Sequence, residues 1–150
     1  MCFAIYMDII THYKTNGSNV YSCMLDASKA FDRVHFGTLF KLLLSRNIPI
    51  GIVRLLLDSY TRQQACAVWE HHKSCYFSIS NGVKQGGVIS PRMFTIYIDQ
   101  LLLRLKKTGI GCHIHGKYMG ILGYADDVTL LSPSIRGLNK MLSICEAFGK

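Results

Sequence analysis

Two short apolar runs flank a tight turn in KYMGILGYADDVTLLS (Lys117–Ser132). Apolar, β-forming runs on either side of a turn predict a β-hairpin. The tip of this hairpin carries Asp126 beside Asp127, although adjacent carboxylates repel each other and Asp is a poor strand former. Either the two residues form a solvated turn, which Asp tolerates well, or a bound cation neutralises them. The pair alone does not decide between these two interpretations.

A second apolar run also ends in a carboxylate. VYSCML (residues 20–25) is rich in β-forming residues and runs directly into Asp26, one of only nine acidic residues in the chain. If this strand neighbours the hairpin, Asp26, Asp126 and Asp127 converge at one end of a sheet. Carboxylate oxygens suit Mg²⁺, and two such ions can activate a hydroxyl and stabilise a leaving pyrophosphate. The three acids therefore favour a two-magnesium site for nucleotidyl transfer.

Strands and helices alternate along the rest of the chain. Ser90 suits the N-cap of a long helix, and Pro91 suits its first turn. The alternation predicts one α+β domain of 150 residues in which helices pack on one face of an antiparallel sheet. The remaining predicted elements are helices at about 1–14, 38–46, 50–60, 90–107 and 135–148, a hairpin of 63–69 and 75–80 joined through EHHKS (70–74), and a glycine-rich loop at 81–87.

Composition narrows the class of protein without fixing its function. With 17 Lys and Arg against 9 Asp and Glu, the chain has a formal charge of +8. A basic globular domain usually meets phosphate, although a generic basic protein has the same charge. The six cysteines include no Cys-x-x-Cys pair, so neither a disulfide framework nor a zinc site is expected. No segment is long and apolar enough to predict a membrane span, so no membrane partner is expected.

Three segments together resemble the reverse transcriptases. LDASKAFDRV (Leu25–Val34) resembles polymerase motif A, GVKQGGVISPRMF (Gly82–Phe94) resembles motif B, and YADD (Tyr124–Asp127) resembles motif C, in the order of that family. The amino-acid sequences of these motifs are most similar to those of non-LTR, LINE-type retrotransposon enzymes. The resemblance covers about residues 20–150. It implies a ferredoxin-like polymerase palm preceded by a fingers-proximal helix at about 1–14, with the thumb absent, and hence a fragment of a longer chain.

The resemblance also implies roles for individual residues. Asp26, Asp126 and Asp127 would be the catalytic carboxylates and would bind two Mg²⁺ ions, helped by the carbonyl of Ala27, with Mn²⁺ as a substitute. Phe31 would lie beneath the ribose as a sugar gate that leaves no room for a 2′-hydroxyl, although a plain core position is the alternative. The other implied contacts are Lys29, Ala30, Gln85 and Gly86 with the incoming nucleotide, and Tyr124 and Ala125 with the primer end.

The implied activity is RNA-directed DNA polymerisation by a nucleotidyltransferase. Its partners would be an RNA template, a DNA primer end and dNTPs, in the nucleus or cytoplasm. One alternative is an inactive retroelement remnant whose basic surface binds nucleic acid. Another is a nuclease or an RNA-dependent RNA polymerase, but a nuclease does not require the Gln-Gly-Gly…Ser-Pro segment. An RNA polymerase would be expected to place a 2′-hydroxyl partner near the sugar instead of Phe31.

Overall fold

The computed structural model describes residues 2–26, 31–32, 34–84, 86–124 and 127–149, and all their side chains except those of Cys2, Asp26 and Tyr124. The mixture of helices and antiparallel strands confirms the α+β prediction. In chain order the elements are α1 Cys2–Thr15, β1 Tyr21–Asp26, α2 Phe36–Ser45, α3 Ile50–Thr61, β2 Gln64–Ala65, β3 Val68–Trp69, β4 His72–Lys73, β5 Phe77–Ser78, α4 Ser90–Lys107, β6 His113–Ile114, β7 Lys117–Tyr118, β8 Ile121–Tyr124, β9 Asp127–Ser132 and α5 Ile135–Gly149.

The chain divides into two compact units. Unit one consists of residues 1–28 and 98–150, and unit two consists of residues 29–97. Unit one contains an antiparallel sheet in the order β1-β9-β8, so β9 is its central strand. Side chains alternate across a strand, and β9 therefore presents apolar residues to both faces of this sheet.

One face of the sheet packs against α4 and α5. Val128 and Leu130 of β9 form a buried cluster with Leu105 of α4 and Met141 of α5. Leu105, Leu130 and Met141 are fully buried. Burying each such side chain stabilises the fold by about 1.5–3 kcal/mol. This cluster is the main core of unit one and agrees with the predicted packing of helices on a sheet face.

The opposite face carries α1. Leu131, the neighbour of Leu130 in β9, packs against Ile9 of α1 and Cys112 in a second cluster. The hydroxyl of Tyr13 donates to the His113 carbonyl at 3.1 Å and accepts the His113 amide at 2.8 Å. The apolar residues of α1 recur at helical spacing, which gives this helix a face to bury. Helices thus pack on both faces of the sheet, with α1 on the face away from α4 and α5, whereas the sequence predicted helices on one face only. The second layer forms because Leu131 gives β9 an apolar residue on that face as well.

Unit two is built around aromatic packing between α2 and α3. The Phe36 ring of α2 meets the Tyr60 ring of α3 edge-on, with centroids 5.6 Å apart. Ser90 is fully buried, and its Oγ lies 3.4 Å from the Tyr60 hydroxyl. Ser90 is already the first residue of α4, so its prediction as the N-cap was wrong. Its hydroxyl serves a buried contact instead of capping the helix.

Two hairpins differ from the sequence prediction. The EHHKS connection was predicted too long, because His72 and Lys73 pair with Trp69 and Val68 and leave a two-residue turn. These strands are exposed, so polar residues fit them as well as they fit a loop. The hairpin of β6 and β7 was not predicted as a separate element. Its turn has positive φ at both His115 and Gly116, as type I′ turns require.

No helix among the described residues is both long enough and apolar enough to cross a membrane.

Candidate active site

The two acidic stretches meet at one end of the sheet of unit one. Asp26 at the end of β1 is the direct antiparallel partner of Asp127 at the start of β9. On the other side of β9, Asp127 pairs with Tyr124 of β8. Cα atoms of directly opposed residues in such ladders lie about 4.5–5.5 Å apart. The end of β1 and the start of β9 are therefore adjacent, as a site shared by Asp26 and Asp127 requires.

The core of unit one fixes this register. In the same ladder Leu25 pairs with Val128 and Cys23 pairs with Leu130. Because side chains alternate, a slip of one residue would move Val128 and Leu130 from their buried cluster to the other face. The apolar residues of β9 therefore determine that residues 26 and 127 are opposed.

Some of the predicted site residues cannot be placed. Ala27, Lys29, Ala30, Gln85, Ala125 and Asp126 lie outside the described residues, and Asp26 and Tyr124 are described by their backbone only. The side chain of Asp127 is exposed. Within the described ranges, no three His, Cys, Asp or Glu side chains group closely enough to hold an ion. The assignment of individual ligands thus stays a prediction.

In unit two, the predicted sugar gate is stacked on a second aromatic ring. The rings of Phe31 and Phe94 are nearly parallel, at 16°, with centroids 4.4 Å apart. Phe94 is buried in the first part of α4, whereas Phe31 is only half-buried. One face of Phe31 is therefore occupied, and part of its surface stays accessible. Sequence reasoning did not single out Phe94, since an aromatic residue in an amphipathic helix is usually core.

The segments that resemble motifs A and B are hydrogen-bonded to each other within unit two. The Gly82 amide donates to the Val34 carbonyl at 2.9 Å, and the Val83 amide donates to the Phe31 carbonyl at 2.7 Å. The beginning of the glycine-rich loop thus lies directly against the turn that carries Phe31. Gly86 further along this loop is exposed, and a Cβ there would meet nothing within 4 Å. A ligand could approach its backbone closely.

A cavity of about 280 Å³ lies beside the same turn. Its lining combines polar and apolar groups, and the amide side chains among them can both donate and accept hydrogen bonds. Polar residues between a hairpin and a loop usually face solvent, so sequence reasoning had not singled out most of them. The lining residues are Asp32, Gln63, Gln64, Ile79, Asn81, Gly82, Val83 and Lys84.

Comparison with known proteins identifies the family of the chain. The model of the family described as "Reverse transcriptase (RNA-dependent DNA polymerase)" matches residues 3–150. The chain is 29% identical over 128 residues to the Pol polyprotein of retrotransposable element R2 from Nasonia vitripennis, which covers 85% of this chain and 12% of that protein. An R2 polyprotein from Popillia japonica is 37% identical over 112 residues, or 71% of this chain and 15% of that protein.

A third relative comes from another mobile element. The RNA-directed DNA polymerase of mobile element jockey from Drosophila funebris is 32% identical over 123 residues, which is 75% of this chain and 12% of that protein. The chain therefore spans only a small part of the length of the curated relatives that it matches. These relatives belong to non-LTR retrotransposons, the group that the three motifs had indicated.

Proposed function

Because this chain belongs to the reverse transcriptase family, we propose that it is the catalytic palm of an RNA-directed DNA polymerase that works within a longer chain. The observation that carries the proposal is the pairing of Asp26 with Asp127 at one end of the β1–β9 ladder. Two carboxylates on opposed residues have little reason to coexist there unless a cation joins them, because like charges opposite each other destabilise a sheet.

The proposed metal ligands are Asp26, Asp126, Asp127 and the carbonyl of Ala27. Reverse transcriptases generally use divalent metal ions, and an all-oxygen donor set of this kind fits Mg²⁺, with Mn²⁺ as a substitute. When bound, two such ions would promote deprotonation of the primer 3′-hydroxyl and neutralise charge on the leaving pyrophosphate. The carboxylates contribute by holding fixed positions, which is how proteins catalyse phosphoryl transfer.

The nucleotide and the primer would be held by the remaining motif residues. The backbone amides of Lys29 and Ala30 would donate to triphosphate oxygens, as successive amides do in anion-binding loops. Phe31 would contact the ribose, and Gln85 and Gly86 would contact the nucleotide. Tyr124 and Ala125 would contact the primer end. Partial exposure of Phe31 and open space at Gly86 support these roles.

The proposed substrates are an RNA template, a DNA primer end and dNTPs. A formal charge of +8 supports binding to a phosphate backbone. A charge of this size favours nucleic acid in general and does not distinguish RNA from DNA. The choice of dNTPs over rNTPs follows from Phe31, whose ring offers the 2′-hydroxyl no hydrogen bond.

Primer extension by the longer parent chain tests the activity. We expect extension of a DNA primer on an RNA template with dNTPs and Mg²⁺, and we expect Asp126→Asn to abolish it. Asp58→Asn is the matched control, because Asp58 is an exposed carboxylate of α3 that pairs with Arg62, just after the end of that helix. Extension by the Asp126→Asn variant at the rate of the unsubstituted chain would overturn the proposal.

A second experiment tests the metal site in the 150-residue chain without requiring activity. Fe²⁺ in place of Mg²⁺, with ascorbate and peroxide, generates hydroxyl radicals that cut the backbone near the bound ion. We expect mass spectrometry to locate cuts near residues 26 and 127, and we expect Asp26→Asn to suppress both. Such cuts without extension by the parent chain would identify a remnant that retains its metal site. The absence of directed cuts would exclude the proposed ligands.

A further inference from the structure

The turn that carries Phe31 is held by its backbone. Amides of Gly82 and Val83 donate to the carbonyls of Val34 and Phe31, at 2.9 and 2.7 Å. These two bonds lie at the two ends of the segment from Phe31 to Val34. The glycine-rich loop therefore sets the position of the backbone from which the Phe31 ring projects.

Gly82 is what allows the loop to come so close. Its φ is +91°, and a Cβ would lie 2.9 Å from the Asp32 Cα and 3.1 Å from the Phe31 carbonyl oxygen. Both neighbours are backbone atoms, which cannot rotate away as a side chain can. Only glycine combines this φ with such close approach. Any larger residue at position 82 must displace the turn or break the two hydrogen bonds.

Apart from these backbone bonds, the ring of Phe31 is supported on one face by the stacked ring of Phe94. The 4.4 Å stack places one aromatic face against the other, and Phe94 is only 2% exposed. Protein interiors are close-packed, so removal of the Phe94 ring would leave a void into which the Phe31 ring can move. The position of the Phe31 ring along the stacking direction thus depends on the side chain at position 94.

We propose that Gly82 and Phe94 are positioning residues for sugar discrimination: Gly82 fixes the backbone of Phe31, and Phe94 fixes the position of its ring. The inference rests on the proposed function, because Phe31 must face the sugar for its position to matter. A rigid ring excludes a 2′-hydroxyl only if it cannot recede. If the Phe31 ring can move into the void left by Phe94, the site accepts the additional 2′-oxygen of an rNTP.

The test is single-nucleotide primer extension by the parent chain with matched dNTP and rNTP, from which kcat and KM are obtained for each. We expect Phe94→Ala to lower the ratio of kcat/KM for dNTP over rNTP by about 3- to 10-fold, chiefly through a lower KM for the rNTP. Phe94→Leu, which restores part of the volume, should give an intermediate ratio. It also keeps the test open if the alanine variant folds poorly.

Phe40→Ala is the matched control for lost stability. Phe40 is buried in α2, and its ring contacts are with Phe36 and Tyr60. This variant loses a buried aromatic ring in unit two but should keep the unsubstituted ratio. For Gly82, the control is Gly17→Ala, since Gly17 has φ +70° and nothing within 4 Å of a Cβ. Gly82→Ala should lower the ratio of kcat/KM for dNTP over rNTP, whereas Gly17→Ala should leave it unchanged, and an unchanged ratio in Gly82→Ala would overturn the role of Gly82.

A double-mutant cycle separates positioning from a general structural role. Phe31→Ala should lower the ratio of kcat/KM for dNTP over rNTP by more than Phe94→Ala does on its own. If Phe94 acts through Phe31, adding Phe94→Ala to Phe31→Ala should change the ratio no further. Additive losses, or an unsubstituted ratio in the Phe94→Ala single variant, would overturn the inference while primer extension itself stays intact. Absence of extension by the unsubstituted chain would instead contradict the proposed function.

Discussion

Asp26 and Asp127 are direct partners across the β1–β9 ladder, although they lie near opposite ends of the sequence. Leu25 and Val128 form the next pair of the ladder and belong to the core of unit one. The position of the acids is therefore a consequence of how the apolar residues of two strands pack. Stability and the proposed metal site are linked through this one register, and the link can be measured.

Removal of one of the two opposed charges should stabilise the chain when no divalent cation is present. Like charges directly opposite each other cost about 0.2–1 kcal/mol. We therefore expect Asp127→Asn to raise the free energy of unfolding by about that amount in EDTA. In Mg²⁺ the unsubstituted chain should gain stability by ligand binding, and the variant should gain less. Urea unfolding followed by circular dichroism measures both effects.

The exposed acid Asp58 provides the comparison for this experiment. Asp58→Asn removes a surface ion pair with Arg62, which contributes little, and should leave the Mg²⁺ dependence unchanged. A loss of stability for Asp127→Asn in EDTA would show that the two charges at the end of the ladder do not repel appreciably.

The packing that holds the β1–β9 register should depend on Leu130. This residue is fully buried between the sheet and the helices α4 and α5. Leu130→Ala should lower the free energy of unfolding by about 2–5 kcal/mol, through lost burial and the cavity left behind. Leu55→Ala, at a site 70% exposed, should change it by less than about 0.5 kcal/mol. Equal effects in urea unfolding would contradict the assignment of Leu130 to the core.

The strands that carry the acids could be predicted because their residues give a clear local signal. VYSCML and the two arms of KYMGILGYADDVTLLS are β-forming runs long enough to recognise. The strands of two residues, such as β6 and β7, show no periodicity and were not predicted individually. The His115-Gly116 turn was the available signal, since positive φ at both positions favours residues of this kind.

The candidate site divides in the same way. The acids could be singled out as candidates because a carboxylate at the end of an apolar strand conflicts with local preference, and such conflicts often mark function. Phe94 gave no such conflict, because an apolar residue is expected on the buried face of α4. Its contact with Phe31 joins two segments that are distant in sequence, and spacing along the chain carries no information about it.

The free energy of unfolding of unit one should fall in alkaline solution because the Tyr118 phenol ionises more readily in the unfolded chain. Burial raises the pKa of this phenol from 10.0 to about 12, and its hydroxyl donates to the Ile110 carbonyl at 2.9 Å. Below pH 10.0 neither state is ionised, so the contribution of the neutral phenol is fully present. Between pH 10.0 and about 12 the unfolded chain ionises first, and this contribution is progressively lost.

Tyr118→Phe tests that expectation. Below pH 10.0 the variant should be less stable by about 1 kcal/mol, since it lacks the hydrogen bond to Ile110. Its deficit should shrink as the pH rises towards about 12, because phenylalanine does not ionise in either state. Urea unfolding at several alkaline pH values gives the difference. A deficit that stays constant with pH would mean that the phenol ionises equally well in both states.

A close backbone contact should make Gly111 indispensable to unit one. Its φ is +136°, and a Cβ there would lie 2.7 Å from the Gly120 Cα and 3.1 Å from the Leu131 carbonyl oxygen. That same carbonyl accepts the Cys112 amide at 3.0 Å, and the Leu131 amide donates to the Gly120 carbonyl at 2.8 Å. A side chain at position 111 would therefore push this segment away from the central strand and break both bonds.

Gly109→Ala separates the contact from backbone strain. Gly109 also has positive φ, at +65°, but a Cβ there would meet nothing within 4 Å. We expect Gly109→Ala to cost about 1–2 kcal/mol from the left-handed conformation alone. Gly111→Ala should cost more, and amide hydrogen exchange at Cys112 and Leu131 should accelerate in that variant only. Equal costs with unchanged exchange would mean that the segment can move aside without losing its bonds to β9.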